Sequence, residues 1–447
     1  MAVRLKPFDP EFLADPYPTY ARLRAESPVH RVRFGPLVIG RLIWRAARAR
    51  FAVSDEGWWA TLGSLNQERR RMREMGGQKA GFGGPIYAVS RHADVLEVLR
   101  DADRFSSRPM GGPPPGSEAS DLELVPTAGS LIGTDPPEHG RQRGVVNRGF
   151  TPRRIAALES HVRKIAEELV AGFEHRGACE LMNDFAHPLP VSAIVELLGL
   201  DPARRDDFKR WSSATIVGST QAGSAPRFEI LREFRRFMAG EVEKRRAQPG
   251  DDLISLLVHS GAEDGVLSTD QAVGFASLLL AAGSETTTNL IGNAMAILRA
   301  HPETLERVKA DPALIPQVVE ESLRLEAPVQ LLMRQATKDT ELAGQGIRAG
   351  SMVIPMLASA NRDESVFPRA DSFDIDRDTT GHVAFGWGNH FCLGVALARL
   401  EGRIALETLL ERIPDYEIAG PVEFHGSFLV RGPKALPLHF STAGRRS

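Results

Sequence analysis

Cys392 lies in the run FGWGNHFCLG, residues 385–394, and is one of only two cysteines in a chain of 447 residues. A lone cysteine among glycines is a poor structural staple and a good axial ligand for a metal. Gly386, Gly388 and Gly394 let the backbone turn sharply and bring N–H groups toward the sulfur, where they tune a metal-bound thiolate. The run VALARLEGRIALETLLER follows at once and reads as a helix. Its positive N-terminal end favours the thiolate over the thiol. The competing reading is a buried, inert cysteine.

A second chemical signal is AAGSETTTNLIG, which includes Ala281, Ala282, Gly283, Ser284, Glu285 and Thr286. Glycine and three successive β-branched threonines are poor helix formers. They stand in the middle of the longest helical pattern in the chain. Ser268 and Gln271 form a capping-box pattern, and the periodic run continues to Ala300, before His301-Pro302 stops it. A glycine there admits a ligand to the backbone. A threonine hydroxyl can bond the carbonyl four residues earlier and loosen the helix. Glu285 beside Thr286 supplies an acid and an alcohol for proton transfer. A packing or bending device is the alternative reading of the same residues.

Further side chains could hold or position a ligand. Glu321 and Arg324 share a face of the apolar helix around VVEESLRLEAP. A partly buried pair there orients backbone; a solvated surface pair is the alternative. His139 and Arg143 are spaced i,i+4, Arg334 lies in LLMRQATKD, and His390 precedes Cys392 by two residues.

Helical periodicity dominates from residue 152 onward, with breaks at Gly177, Pro188, Gly199, Pro249, Pro302 and Pro328. Short strand signals fall near 29–34, 85–90, 337–357 and 423–439. No strand–helix alternation occurs, which argues against a parallel-sheet fold. The expected architecture is mainly α with small peripheral β-sheets, in a single large domain over 1–447. Two stretches read as loops: 106–117, where Pro and Gly deny helix and central strand, and the joint 218–226.

Composition narrows the function classes. Net charge is −2, which shows no bias toward nucleic acid. Two cysteines exclude a disulfide framework and a cysteine-rich zinc or iron–sulfur site. The opening MAVRLKPFDPEF lacks an apolar h-region, and the longest apolar stretch is about half a membrane span. A cytoplasmic protein is expected. One segment differs: residues 31–80 hold eleven Lys/Arg against four Asp/Glu, and three of the five tryptophans. Arg41, Arg45 and Arg48 share a helical face, with Ile39, Ile43 and Ala46 roughly opposite. This basic insertion, bounded at 31–82 between two N-terminal strands, reads as a weak membrane or partner contact through 37–80, or as a surface insertion with no role.

Together these features resemble the cytochrome P450 family, its soluble bacterial members in particular, over about residues 8–440 apart from the insertion. FGWGNHFCLG matches the family's Phe-x-x-Gly-x-His-x-Cys-x-Gly pattern. Its E-x-x-R falls on Glu321 and Arg324, and its A-G-x-(D/E)-T-T on Ala282, Gly283, Glu285, Thr286 and Thr287. DPPEHGRQR and DFAHPLPVSAIVELLGL match further family helices. The resemblance implies haem b (iron protoporphyrin IX) bound through Cys392, with Phe385, Gly386, Gly394, Ala282 and Gly283 against it. It implies propionate contacts from His139, Arg143, Arg334 and His390. Thr286 and Glu285 would deliver protons during O2 activation. One oxygen atom would enter a lipophilic substrate as a hydroxyl or epoxide.

The chain has no flavin or nucleotide fingerprint, so the resemblance implies electrons from NAD(P)H through ferredoxin reductase and ferredoxin. Expected substrate walls are loop 106–130, the joint 208–235, Ala281–Ala282, Val329–Met333 with Val329 and Leu332, and the tip Phe428–Val430 with Leu429. Two departures stand out. The family's meander arginine, which completes a triad with Glu321 and Arg324, is replaced at its expected place by Ser372, leaving Arg377 or a backbone group as substitutes. No family element corresponds to the insertion. The rival functions are a peroxide-driven peroxygenase of the same fold and a haem-binding sensor or carrier without turnover.

Overall fold

The computed structural model describes residues 9–32, 84–108, 131–215, 225–259 and 267–441, together with Leu5 and Pro7. The basic insertion beyond Val32, residues 109–130 of the expected loop and residues 216–224 of the joint lie outside the described residues.

The helices that place functional residues are α1 (His92–Arg100), α2 (Glu138–Asn147), α3 (Glu159–Ala171), α4 (Pro188–Leu197), α5 (Arg205–Thr215), α6 (Ala225–Ala247), α7 (Thr269–Ala300), α8 (Ile315–Leu325) and α9 (Val395–Arg412). Among the described residues no helix is long and apolar enough to cross a membrane.

Helix α7 organises the rest. Its 32 residues span about 48 Å. The capping box is present: Gln271 N–H donates to Ser268 Oγ at 3.2 Å, and Ser268 N–H donates to Gln271 Oε1 at 3.1 Å. The helix ends at His301, and Pro302 opens the next one. Apolar residues from Ala272 to Leu298 are buried on most sides, because α4, α5, α6, α8 and α9 all pack against it. A helix apolar around its circumference belongs in a core. Gly283 permits one of these crossings: a Cβ there would come within 2.8 Å of Ile194 Cδ1 on α4.

The sheets are small and peripheral. The largest runs in the order Val29–Val32, Ile86–Val89, Met352–Pro355, Arg334–Ala336, Phe105–Ser106. The two strands that flank the insertion pair antiparallel, Val29 opposite Val89 and Val32 opposite Ile86. Ile86–Val89 and Met352–Pro355 pair in parallel. The missing strand–helix alternation does not forbid this pairing, since the connection between these strands is most of the helical body rather than one crossover helix.

Glu321 and Arg324 are fully buried, not partly so, with 0% side-chain exposure on both sides of a 2.7 Å ion pair. Arg324 also donates to the carbonyls of Asn361, Ala370 and Ser372. Arg377 completes the cluster, donating from Nε to Glu321 Oε1 at 3.2 Å. Ser372 contributes only its carbonyl. The second cation and third member of the triad is therefore Arg377, and the cluster fastens the irregular chain 361–377 onto α8.

Candidate active site

The cysteine loop closes on itself before α9 begins. Cys392 N–H donates to the Phe385 carbonyl at 2.9 Å, and Phe391 N–H to Gly388 at 3.0 Å. Gly386 and Gly388 both have φ of +70°, in the left-handed region that glycine favours. A Cβ on Gly388 would lie 2.6 Å from the Leu99 carbonyl of α1, so the loop can dock there only with glycine. Gly394 differs from the sequence expectation of a sharp turn: its φ is −85°, and it serves as the N-cap of α9. Its N–H bonds the Cys392 sulfur.

Burial nonetheless pushes the thiol up, and outweighs the pull of Gly394 N–H, Arg143 and Arg399 toward the thiolate. Helix α9 alone does not make a free thiolate. A metal that displaces the proton would, because coordination deprotonates the thiol. Among the described residues no three His, Cys, Asp or Glu gather as an ion cage. Among those residues Cys392 therefore has no pair of further His, Cys, Asp or Glu around it with which to form a many-ligand ion site.

Beside the sulfur lies a cationic cradle. The His139 and His390 rings are 4.2 Å apart. Each has a buried Nε2 with no hydrogen-bond partner, a costly arrangement that a ligand acceptor would relieve. Burial pushes His390 down to about 3, helped by Arg334, His139 and Arg143. His139 is lowered by the same causes: burial first, then Arg143. Arg334 is buried with its Nη1 on the Met333 carbonyl at 2.9 Å, and burial lowers it to about 10 against the pull of Asp135. Arg143 is lowered by burial and feels Cys392. Two guanidinium groups and two unsatisfied imidazoles beside a thiol fit a group that binds through sulfur and carries carboxylates.

On α7, Thr286 Oγ1 donates to the Ala282 carbonyl at 2.6 Å. That bond takes the only hydroxyl proton, so the oxygen presents lone pairs outward. Ala282 is exposed, and Ala281, Gly283, Glu285 and Thr286 partly so, in the middle of an otherwise buried helix. Burial raises Glu285 to about 7. A carboxyl poised there both gives and takes a proton near neutrality.

Two of the expected substrate walls, Val329–Met333 and Phe428–Val430, meet each other. Val329 and Val430 form an isolated antiparallel bridge, Gln330 N–H donates to Leu429, and Arg431 N–H donates to Pro328. Phe428 is half-buried against the main core. Leu332 reaches the cysteine loop, 3.9 Å from where a Gly386 Cβ would stand. Phe385 packs under the Arg399 guanidinium at 5.1 Å.

Two features lie outside the sequence reading. Glu401 of α9 is buried, bonded to Thr287 of α7, and leaves Oε1 without a partner. Only the presence of a charge within an apolar helical run hinted at it. Trp387 lies under Arg100 of α1 at 5.3 Å, which helps seat the loop.

A lone thiol, a cationic cradle beside it and an acid–alcohol turn on the central helix are the residue types that a haem-thiolate site uses. The sequence profile described as "Cytochrome P450" matches residues 225–413. The chain is 36% identical to the cytochrome P450 monooxygenase PikC of Streptomyces venezuelae, covering 98% of this chain and 94% of that one. It is 36% identical to the vitamin D(3) 25-hydroxylase of Pseudonocardia autotrophica, covering 98% and 96%. The solved structure of CYP109Q5 from Chondromyces apiculatus superposes with a TM-score of 0.80 at 38% identity, covering 99% and 100%. The chain belongs to the cytochrome P450 family, whose prosthetic group is haem b and whose members are monooxygenases.

Proposed function

We propose that this cytochrome P450 inserts one oxygen atom of O2 into a lipophilic organic substrate, by hydroxylation or epoxidation, with electrons from a ferredoxin and its NAD(P)H-dependent reductase. The observation that carries the reading is the Cys392 loop beside two unsatisfied imidazoles and two guanidinium groups. Cys392 would hold the haem iron, with Gly394 N–H on the sulfur. Arg143, Arg334, His139 and His390 would hold the two propionates. Phe385, Gly386, Ala282 and Gly283 would line the ring.

Bound haem supplies the activation of O2 and the oxygen transfer. The chain's own residues manage protons and position. Two protons and two electrons are consumed for each O2; one oxygen atom enters the substrate and the other leaves as water. Glu285, near half-protonated at neutrality, carries protons inward. Thr286, its own proton on Ala282, orients an ordered water through its lone pairs. Such positioned proton transfer is typically worth about 10²–10⁴ in rate.

Ala281, Val329, Leu332, Phe428 and Leu429 offer apolar contact, which supports a lipophilic substrate. The relatives' names point the same way, since one is called a vitamin D(3) hydroxylase. The test is the carbon monoxide difference spectrum of the reduced holoprotein, compared with Cys392→Ala. The thiolate-type band is expected in the first and absent in the second. A band that survives the substitution overturns the ligand assignment. Spectral titration with vitamin D3, testosterone and myristic acid tests the substrate class; no response to any of them, with a response to small hydrophilic compounds, overturns it.

A further inference from the structure

Ser284 stands immediately before Glu285 and is fully buried, as is Ser212 of α5. Their hydroxyl oxygens are 2.7 Å apart. Ser284 Oγ also donates to the Leu280 carbonyl. A hydroxyl has one proton, so with that proton on Leu280 the donor in the pair is Ser212. Four residues on, Thr288 Oγ1 contacts the Ser284 carbonyl at 2.8 Å and the Ala186 carbonyl at 3.1 Å, beside the π-helical turn Met182–Ala186. Thr286 makes the same backward bond to Ala282 between these two.

Hydroxyls at 284, 286 and 288 thus bond back to 280, 282 and 284 in succession. The outer two are tied to neighbouring elements, one to α5 through Ser212 and one to Ala186. The middle one, with Glu285, faces accessible surface. Backward bonds of this kind soften a helix, so this stretch of α7 needs outside anchors to hold its side chains in one orientation. A buried, mutually satisfied polar pair specifies one arrangement far better than apolar contact does.

We propose that Ser212 and Ser284 are positioning residues, a buried interhelical hydroxyl latch that holds the Glu285–Thr286 turn in its proton-delivering orientation from the α5 side. The latch rests on the roles proposed above for Glu285 and Thr286. Its consequence is catalytic because small misplacements of a reacting group carry large rate penalties. When the latch is lost, reducing equivalents leave as hydrogen peroxide instead of reaching product.

The test uses the holoprotein as Ser212→Ala, Ser284→Ala, the double variant and Thr286→Ala. Peroxide formed per NADH oxidised is measured with ferredoxin and its reductase, without added substrate and with testosterone. Amide hydrogen exchange of residues 280–290 is measured in parallel. Each serine variant is expected to raise the peroxide fraction and the exchange rate about 3- to 10-fold, the scale of one buried hydrogen bond. The double variant should equal Ser284→Ala, which already removes the pair together with the bond to Leu280. Ser212→Thr, which keeps the hydroxyl, should restore both readouts. Additive effects, or wild-type exchange and peroxide yield with only a lowered melting temperature, overturn the latch. If Thr286→Ala leaves the peroxide fraction unchanged, the proton-delivery reading has failed, and the exchange data alone still decide whether the latch exists.

Discussion

Arg377 donates to Glu321 at 3.2 Å from a stretch of chain with no regular structure, while Arg324 brackets both oxygens of the same carboxylate at 2.7 Å. Asp374 N–H adds a further bond at 3.0 Å. The carboxylate therefore organises α8 and the chain after it around one buried negative charge. Arg324→Ala strips the closest partner from a buried ion and should cost about 3–5 kcal/mol. Arg377→Ala removes one charged hydrogen bond and should cost about 1.5–3 kcal/mol. Ser372→Ala keeps the carbonyl that does the work and should stay within about 0.5 kcal/mol. Denaturant unfolding of the three variants gives the order directly; a Ser372→Ala loss as large as that of Arg377→Ala would refute the assignment.

Arg334 carries the clearest signature of a residue built for a partner. Burial lowers it to about 10, and Asp135 is the carboxylate that opposes this. Arg334→Met keeps much of the apolar stem and removes the desolvated charge. The haem-free chain should then melt at a higher temperature, while the holoprotein loses haem about tenfold faster or more. Haem transfer to apomyoglobin measures the second quantity. A lowered melting temperature of the haem-free chain, with haem transfer at the wild-type rate, shows that the guanidinium is structural rather than a propionate holder.

On the proposed proton path, Glu285 would set the pH response of turnover. Its folded-state value of about 7 arises from burial. The protonated donor is lost as pH rises through that value, so the product-forming rate should fall across about pH 6–8. Glu285→Gln should cut turnover about 10²-fold and flatten this limb. Stopped-flow reduction and product analysis across pH separate the limb from electron supply. A limb that persists in Glu285→Gln belongs to another group.

How legible all this was depends on the range of each interaction. The capping box at Ser268 and Gln271, the stop at His301-Pro302, the Cys392 loop and the Glu321–Arg324 pair are local patterns, and they appear where the sequence places them. The mid-helix irregularity was also readable, since the backward bond of Thr286 needs only its own helix. Arg377 was open between two candidates because its bond to Glu321 joins segments that local spacing cannot relate. Ser212 is an unremarkable residue of an amphipathic helix until α5 is laid on α7. The role of Gly283 was only half visible: the sequence indicated close approach, and Ile194 makes that approach on the α4 side.

Glu401 brings the same limit to bear on stability. In sequence it is one charge in VALARLEGR, and a solvated face is the ordinary reading. Packing of α9 against α7 buries it, leaves Oε1 unpartnered, and raises it to about 8 despite the hydrogen bond from Thr287. The unfolded carboxyl titrates near 4.5. Between these values the folded chain binds more protons than the unfolded chain, so its stability falls as pH rises from about 4.5 to 8 and then levels. Glu401→Gln keeps the shape and an acceptor for Thr287 while removing the ionisation. The variant should match the wild type near pH 4.5 and exceed it by on the order of 2–4 kcal/mol at pH 8–9. Urea unfolding at four pH values between 5 and 9 measures the divergence. Parallel curves would mean that a water or a backbone donor already satisfies Oε1, and that the carboxylate is ionised within the core.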